Sequence, residues 1–154
     1  MAPEEKLQEL GLVLPDLPER IANYLLFKPS GKLVWISGQG PRLQDGSFVT
    51  GKVGLDYSLE EAYEHARLVG LDLLAVARAA AGGNLDRVEF VKLLGMVNAT
   101  PAFHDHPKVI NGCSELFAEI WGAVNGVGAR SAVGMASLPH DIAVEIEGIF
   151  ELTQ

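Results

Sequence analysis

The sequence contains one cysteine and few basic residues, and each shortage excludes a class of protein. Cys113 has no second cysteine with which to form an internal disulfide. Twelve lysines and arginines stand against twenty aspartates and glutamates, for a formal net charge of −8. Nucleic-acid binding requires clustered basic residues, and no such cluster is present, so nucleic acid is not expected as a main partner. No apolar run approaches the roughly 18 residues of a membrane span, so no membrane partner is expected either.

The start of the chain also lacks the features of a secretory signal. Residues 1–5 are acidic, whereas a signal peptide begins with a basic stretch followed by an apolar one. Together with the single cysteine, this predicts a cytoplasmic protein in a reducing compartment. The 154 residues, 48% of them hydrophobic, predict one globular domain over residues 1–154 with room for a proper core.

Alternating strand and helix patterns predict an α+β protein with helices on one face of a sheet. The predicted elements, in order, are a helix (3–10), a strand (24–28), a hairpin turn (29–31), a strand (32–37), a short strand (48–53), a helix from Ser58 to about Ala80, a central strand (88–97), a helix (108–124) and two closing strands (129–137 and 143–151). The long helix has the clearest start, because Ser58 and Glu61 form a capping box.

The first closing strand carries small residues on one face. Ala132, Gly134 and Ala136 lie on the side of Arg130, whereas Val133 and Met135 lie on the other. One face is expected to pack on helices, and the second is too apolar for open solvent. We therefore expect a second subunit to cover it in a homo-oligomer. The alternative is that the small residues only relieve crowding against a neighbouring strand.

Arg130 has no charged neighbour in sequence, so its guanidinium must find an anion elsewhere. That anion is either a glutamate of the last strand or the carboxylate of a bound molecule. If the last two strands formed a hairpin, Glu145 would lie about 15 Å from Arg130 along the ladder, too far for a direct pair. A bulge or a neighbouring subunit could still bring them together. The competing interpretation is an inter-subunit salt bridge for Arg130, with Glu145 and Glu147 keeping an edge strand soluble.

Other local signals point to structure and not to chemistry. The segment 38–41 lacks the third glycine and the helix of a phosphate-binding loop, and is interpreted as a glycine turn. The segment 104–106, His-Asp-His, lacks a third zinc ligand and is expected to be a polar loop. The pair His140 and Asp141 is interpreted as a turn, and Cys113 as a core residue. No nucleophile elbow is present, so no catalytic triad is expected. Neither a metal nor a cofactor is expected.

Several segments taken together resemble the Rid family, the reactive intermediate deaminases, also called YjgF and often labelled endoribonuclease L-PSP. The residues that carry the resemblance are Ala129-Arg130-Ser131-Ala132-Val133, Leu138-Pro139 and Val144-Glu145-Ile146-Glu147, supported by Leu33 to Gln39, Asp86 to Lys92 and Val109-Ile110-Asn111. The chain is longer than the commonest members, with an N-terminal extension (1–20) and a longer loop at 98–107. It therefore resembles a distinct bacterial subgroup.

The resemblance implies a fold and an assembly. The fold is the chorismate mutase-like fold of the bacillus type, with two main helices on one sheet face, and the assembly is a trimer with three clefts between subunits. The implied activity is hydrolysis of 2-imino or enamine acids to 2-keto acids and ammonia. A non-catalytic protein that binds a keto-acid-like metabolite in the same cleft is the alternative. Ribonuclease activity, suggested by the family label, is disfavoured by the charge of −8.

The resemblance also assigns residue roles. Arg130 matches the arginine that grips the substrate carboxylate, and Glu145 matches the glutamate near the attacking water. Tyr24, Ser37 and Asn111 fall at positions that shape the cleft. Where some members carry a cysteine two residues after the arginine, this chain has Ala132, so no thiol chemistry is expected there.

Overall fold

A computed structural model describes residues 1–19 and 22–153. The helices of these residues are α1 (Pro3–Glu9), α2 (Leu59–Ala80) and α3 (His106–Asn125), and the strands are β1 (Phe27–Ser30), β2 (Leu33–Gln39), β3 (Val88–Asn98), β4 (Ala129–Met135) and β5 (Val144–Leu152). Short 3₁₀ turns occupy Leu85–Arg87 and Pro139–Asp141. The expected end of the N-terminal extension, residue 20, lies outside the described residues.

The strands form one sheet in the order β1-β2-β5-β3-β4. β4 runs parallel to β3, and the remaining neighbours are antiparallel. The parallel pair is possible because α3 provides the long crossover that parallel strands require. The hairpin considered for the two closing strands does not form: β3 lies between β4 and β5, and β5 occupies the centre of the sheet.

Helices α2 and α3 pack against each other and cover one face of the sheet, as predicted for two main helices. The capping box at the start of α2 is formed: the Ser58 hydroxyl accepts from the Glu61 amide at 3.2 Å, and the Glu61 carboxylate accepts from the Ser58 amide at 2.8 Å. The helices approach so closely that a Cβ on Gly112 would lie 2.0 Å from the Tyr63 carbonyl oxygen. Only glycine fits that contact, and it fixes how α3 sits above the sheet.

Three predicted segments differ from the structure. The expected strand at 24–28 and its turn at 29–31 are displaced, because β1 begins at Phe27 and the turn falls at Gly31, which has φ +61°. The expected strand at 48–53 is reduced to isolated bridges. The expected polar loop through 106 is shorter, since His106 begins α3 and its ring meets Phe103 edge-on at 5.6 Å. In each case, tertiary contacts outweigh the local pattern.

The second face of the sheet carries exposed apolar side chains. Trp35 on β2 is 51% exposed and Val133 on β4 is 39% exposed. Arg130 instead faces α3, as does Gly134, whose missing side chain leaves room for the His106 ring. The sheet thus has one face packed on helices and one open face that exposes apolar side chains of β2 and β4. None of the described helices combines the length and apolar character that a membrane crossing requires.

Candidate functional site

Arg130 projects from the edge strand β4 towards α3 and is oriented there by two neutral side chains. Its Nη1 donates to the Asn111 amide oxygen at 2.7 Å and to the Ser114 hydroxyl at 3.2 Å. Asn111 and Ser114 stand on the same side of α3 because residues three apart are neighbours on a helix. Arg130 remains exposed to solvent. These contacts orient the guanidinium without neutralising its charge.

Three other arginines differ from Arg130, because each forms an ion pair within the chain. Arg42 binds Asp72, Arg67 binds Glu119 and Arg78 binds Glu4, each at 2.7 to 2.9 Å. Within residues 1–19 and 22–153, Arg130 forms no such pair with a carboxylate. A guanidinium with neutral partners and open solvent beside it can bind a planar carboxylate from outside through two parallel hydrogen bonds.

Glu145 lies on the opposite face of the sheet, half-buried on β5. Its carboxyl group rests against Gly38 of β2, where an added Cβ would lie 2.9 Å from the carboxyl carbon. Burial raises the pKa of Glu145 above its ordinary value, and the nearby charge of Glu147 raises the pKa further. Such a carboxylate takes up a proton more readily than a surface glutamate, as a group that accepts a proton from water must.

A cleft of about 430 Å³ opens beside this carboxyl group, lined among others by Tyr24, Ser37 and Glu145. The Ser37 hydroxyl donates to the Leu25 carbonyl at 2.6 Å, which fixes its side chain at the wall. Buried Gln39 donates its amide to the Ser37 carbonyl at 2.9 Å and supports the same stretch of β2 from behind. The cleft therefore combines a half-buried acid with a hydroxyl-bearing wall.

The five residues selected from the sequence form two groups in one chain. Arg130 and Asn111 are hydrogen-bonded to each other, and Tyr24, Ser37 and Glu145 share the cleft. Arg130 pairs with Leu93 of β3, whereas Glu145 pairs with Met96 of the same strand. An offset of three residues places the two side chains on opposite faces, and strand spacing puts their Cα atoms roughly 14 Å apart. A single chain cannot present both groups to one small ligand.

Two features of the site escaped the sequence analysis. Ser114, one turn beyond Asn111, is the second partner of Arg130, and its spacing of three on a helix was the available signal. His140 lines the cleft and, with Asp141, has positive φ (56° and 57°). The sequence of this segment indicates a turn and gives no sign of a cleft residue. Two consecutive non-glycine residues in this conformation are strained, and such strain persists only where surrounding contacts hold it.

Those contacts come from buried Asn98 at the end of β3. Its amide donates to the Asp141 carboxylate at 3.1 Å and to the Ile142 carbonyl at 3.2 Å. Lys52 in turn donates to the Asn98 amide oxygen at 2.6 Å. This network holds the turn rigidly at one end of the cleft. Cys113, by contrast, is fully buried, and burial raises the pKa of its thiol, so it belongs to the core as expected.

Known proteins of the same kind match the chain over nearly its whole length. Protein TCP17 of Trypanosoma cruzi is 38% identical over 147 residues, covering 95% of this chain and 91% of that protein. The crystal structure of Atu1372 from Agrobacterium tumefaciens, a protein of unknown function, is 41% identical with a TM-score of 0.87, covering 98% and 94% of the two chains. A putative endoribonuclease from Shewanella oneidensis is 31% identical with a TM-score of 0.93, covering 99% and 100%.

The family model extends this likeness to a named group. It matches residues 4–141 and is described as "YjgF/chorismate mutase-like, putative endoribonuclease". The match spans the strand with Ser37, the whole of α2 and α3, and the strand with Arg130. The resemblance noted in the sequence is thereby confirmed at the level of the family. With its five-stranded sheet, two covering helices and edge-strand arginine, the chain belongs to the YjgF/chorismate mutase-like family.

Proposed function

We propose that the protein hydrolyses reactive 2-imino or enamine acids to 2-keto acids and ammonia in a cleft between subunits. Arg130 holds the substrate carboxylate, and Glu145 orients the attacking water. The observation that carries the proposal is the state of Arg130, which is oriented by Asn111 and Ser114 and is bound to no carboxylate of the described chain. The family resemblance supplies the reaction class.

The proposed site needs two copies of the chain. Arg130 and Glu145 face opposite sides of the sheet, so one protomer must bring its Arg130 to the Glu145 cleft of the next. The exposed apolar side chains of Trp35 and Val133 support such an assembly, because removing them from water in a subunit interface lowers the free energy. A head-to-tail contact that closes after three copies gives the trimer expected from the resemblance, with three equivalent clefts.

The proposed reaction depends mainly on how the substrate and the attacking water are positioned. Two parallel hydrogen bonds from Arg130 fix the substrate carboxylate and hence the adjacent imine carbon. Water attacks the carbon of the protonated imine as Glu145 accepts one proton from the water, giving a neutral carbinolamine. Glu145 then gives its proton to the nitrogen, and the C–N bond breaks as the hydroxyl group releases its proton to solvent, so that the imino acid and water yield a 2-keto acid and ammonia. Tyr24 and Ser37 form the wall beside the reacting carbon, and Asn111 keeps the guanidinium in place.

The rival function is a non-catalytic protein that binds a keto acid or a similar metabolite at the same arginine. It would bind the same carboxylate but accelerate no hydrolysis. Endoribonuclease activity, as in the family description, has less support because the chain carries a net charge of −8. Phosphate backbones require several positive charges along one surface.

The first test couples an amino-acid oxidase to a trap for the released imine. The intact protein should speed the disappearance of the imine, whereas Arg130→Ala should lose the effect, because two charged hydrogen bonds worth about 3 kcal/mol correspond to roughly a hundredfold in kcat/KM. Arg67→Ala is the matched control, since Arg67 lies on the helix surface and binds Glu119. Full activity in Arg130→Ala contradicts the proposal. Keto-acid binding without turnover in the intact protein supports the rival.

The second test asks whether the site is shared between chains. Arg130→Ala and Glu145→Gln are each expected to be inactive alone, but co-assembled chains should regain activity. In an equal mixture, about a quarter of the clefts receive an intact arginine from one chain and an intact glutamate from its neighbour. Assemblies are formed by co-expression with two different tags. A mixture that stays inactive speaks against a cleft between subunits.

A further inference from the structure

The N-terminal segment runs across the protein and ends at the cleft. We define residues 12–19 as the N-terminal strap. Leu12 and Leu14 pack against the hydrophobic core, and the Leu12 amide donates to the Leu7 carbonyl of α1 at 2.9 Å. Further along, Pro18 and Glu19 line the same cleft as Glu145. The strap thus begins in the core and forms part of the wall beside the proposed reaction.

Arg42 holds the strap in that position. Its Nη2 donates to the Asp16 carbonyl oxygen at 2.5 Å and to the Asp72 carboxylate at 2.7 Å. Asp72 stands in the middle of α2 and is only 2% exposed. One guanidinium therefore ties the strap to a buried carboxylate of the core helix. Because the anchor is buried and charged, the strap should not be displaced without a substantial cost.

The cleft walls carry several acidic side chains. The carboxylates of Glu19, Glu145 and Glu147 line it, and the described lining residues include no lysine or arginine. Phe48 and Ile142 add apolar surface. In the proposed assembly, one arginine from the neighbouring chain pairs with the carboxylate next to the imine. A second carboxylate on the same substrate would face these three glutamates, and the polar groups of Tyr24, Ser37 and Gln39 beside them would not balance its charge.

We propose that the N-terminal strap, positioned by Arg42, determines substrate specificity, and that Glu19 disfavours imino acids whose side chain carries a second carboxylate. The preferred substrates are imino acids with neutral or cationic side chains. This inference rests on the proposed imine hydrolysis. Arg42 acts as a positioning residue and does not touch the substrate. Selectivity here comes from electrostatic repulsion. A substrate with an acidic side chain binds more weakly because like charges face it in a partly enclosed space.

The experiment compares two imines with the intact protein. One imine is generated by an oxidase that acts on neutral amino acids, and the other is iminosuccinate, generated by an oxidase that acts on aspartate. We expect kcat/KM to be at least about tenfold higher for the neutral imine, because three carboxylates oppose the second negative charge. Glu19→Gln should raise kcat/KM for iminosuccinate about threefold and leave the neutral imine nearly unchanged. Glu60→Gln, an equal charge change on the exposed first turn of α2, should change neither.

The role of Arg42 is tested without leaving a buried charge unpaired. In the double variant Arg42→Met with Asp72→Leu, both charges are replaced by apolar groups, which often preserves stability. The variant should narrow the ratio between the two imines by raising KM for the neutral one and lowering KM for iminosuccinate, with kcat nearly constant. A purely structural role would lower kcat for both alike. Equal activity on both imines in the intact protein, or a ratio unmoved by Glu19→Gln, overturns the inference alone. Acceleration of neither imine overturns the proposed function and this inference with it.

Discussion

Arg42 and Arg130 are the same residue type in two opposite environments. Arg42 binds the buried carboxylate of Asp72 and a backbone carbonyl, so its charge is neutralised within the fold. Arg130 binds an amide oxygen and a hydroxyl at an exposed strand edge, and neither of these partners neutralises its charge. The difference teaches that the charge and burial of the partner, and not the presence of hydrogen bonds, separate a structural arginine from one available to a ligand.

The largest expected effect concerns stability. Arg42→Ala leaves Asp72 buried without its cation and should lower the free energy of unfolding by about 3 kcal/mol. Arg130→Ala removes a side chain from an exposed edge and should change it by no more than about 0.5 kcal/mol. Urea unfolding of both variants gives the measurement. If the free energy of unfolding fell equally in the two variants, Arg42 and Arg130 would not differ in their structural role.

The next largest effect concerns the geometry of the charged group at residue 130. Arg130→Lys keeps the charge but loses the planar fork, so one ammonium must replace two parallel hydrogen bonds. Under the proposed function, kcat/KM for a neutral imine should fall about tenfold, since one charged hydrogen bond is lost. The unfolding midpoint serves as the control and should not move. Wild-type kinetics in this variant would mean that charge alone is sufficient.

A smaller effect is expected when the partner of Arg130 is removed. Asn111→Ala leaves the guanidinium with Ser114 as its one remaining side-chain partner of the two. Under the proposed function, the guanidinium should then be less well oriented and bind the substrate carboxylate more weakly. KM should rise about fivefold with little change in kcat, as fits the loss of one hydrogen bond worth about 1 kcal/mol. Asn125→Ala, near the end of the same helix and bound to Glu89, is the matched control. An unchanged KM in Asn111→Ala contradicts an orienting role.

The smallest effect is a shift in pH dependence. Under the proposed function, Glu145 must be ionised to accept a proton, so activity should fall as the pH drops through its raised pKa. The charge of Glu147 contributes to that raised pKa. Glu147→Gln should therefore lower the pKa of Glu145 and move the acid limb of the kcat/KM profile to lower pH, leaving the plateau intact. A limb that moves upward or stays in place excludes this coupling.

Local patterns in the sequence were enough to predict the helices and most strands. The capping box at Ser58 and the spacing of apolar residues predicted α2 because both are properties of neighbouring residues. The first strand was misplaced by a few residues because Pro29 suggested a turn. A proline is tolerated in β1 since β1 is an edge strand. Its edge position depends on the whole sheet and has no local signal.

Long-range arrangement was the part that local patterns could not provide. Two closing strands suggested a hairpin, yet β5 inserts between β2 and β3, and nothing near residue 140 encodes that pairing. For the same reason, the hydrogen bond between Arg130 and Asn111 was not predicted: the family resemblance selected both residues but did not pair them. His140 was missed as a cleft residue because its position depends on Asn98, which is forty-two residues earlier in the chain.

The absence of a side chain at Gly38 has a consequence for the acid opposite it. The carboxyl group of Glu145 rests directly on the backbone of β2, so the strand itself sets where that acid sits. A single methyl group added at residue 38 would occupy the same space and push the carboxyl outward, although no charge in the chain would change. The position of the proposed proton acceptor thus depends on the space left by a residue that has no reactive group of its own.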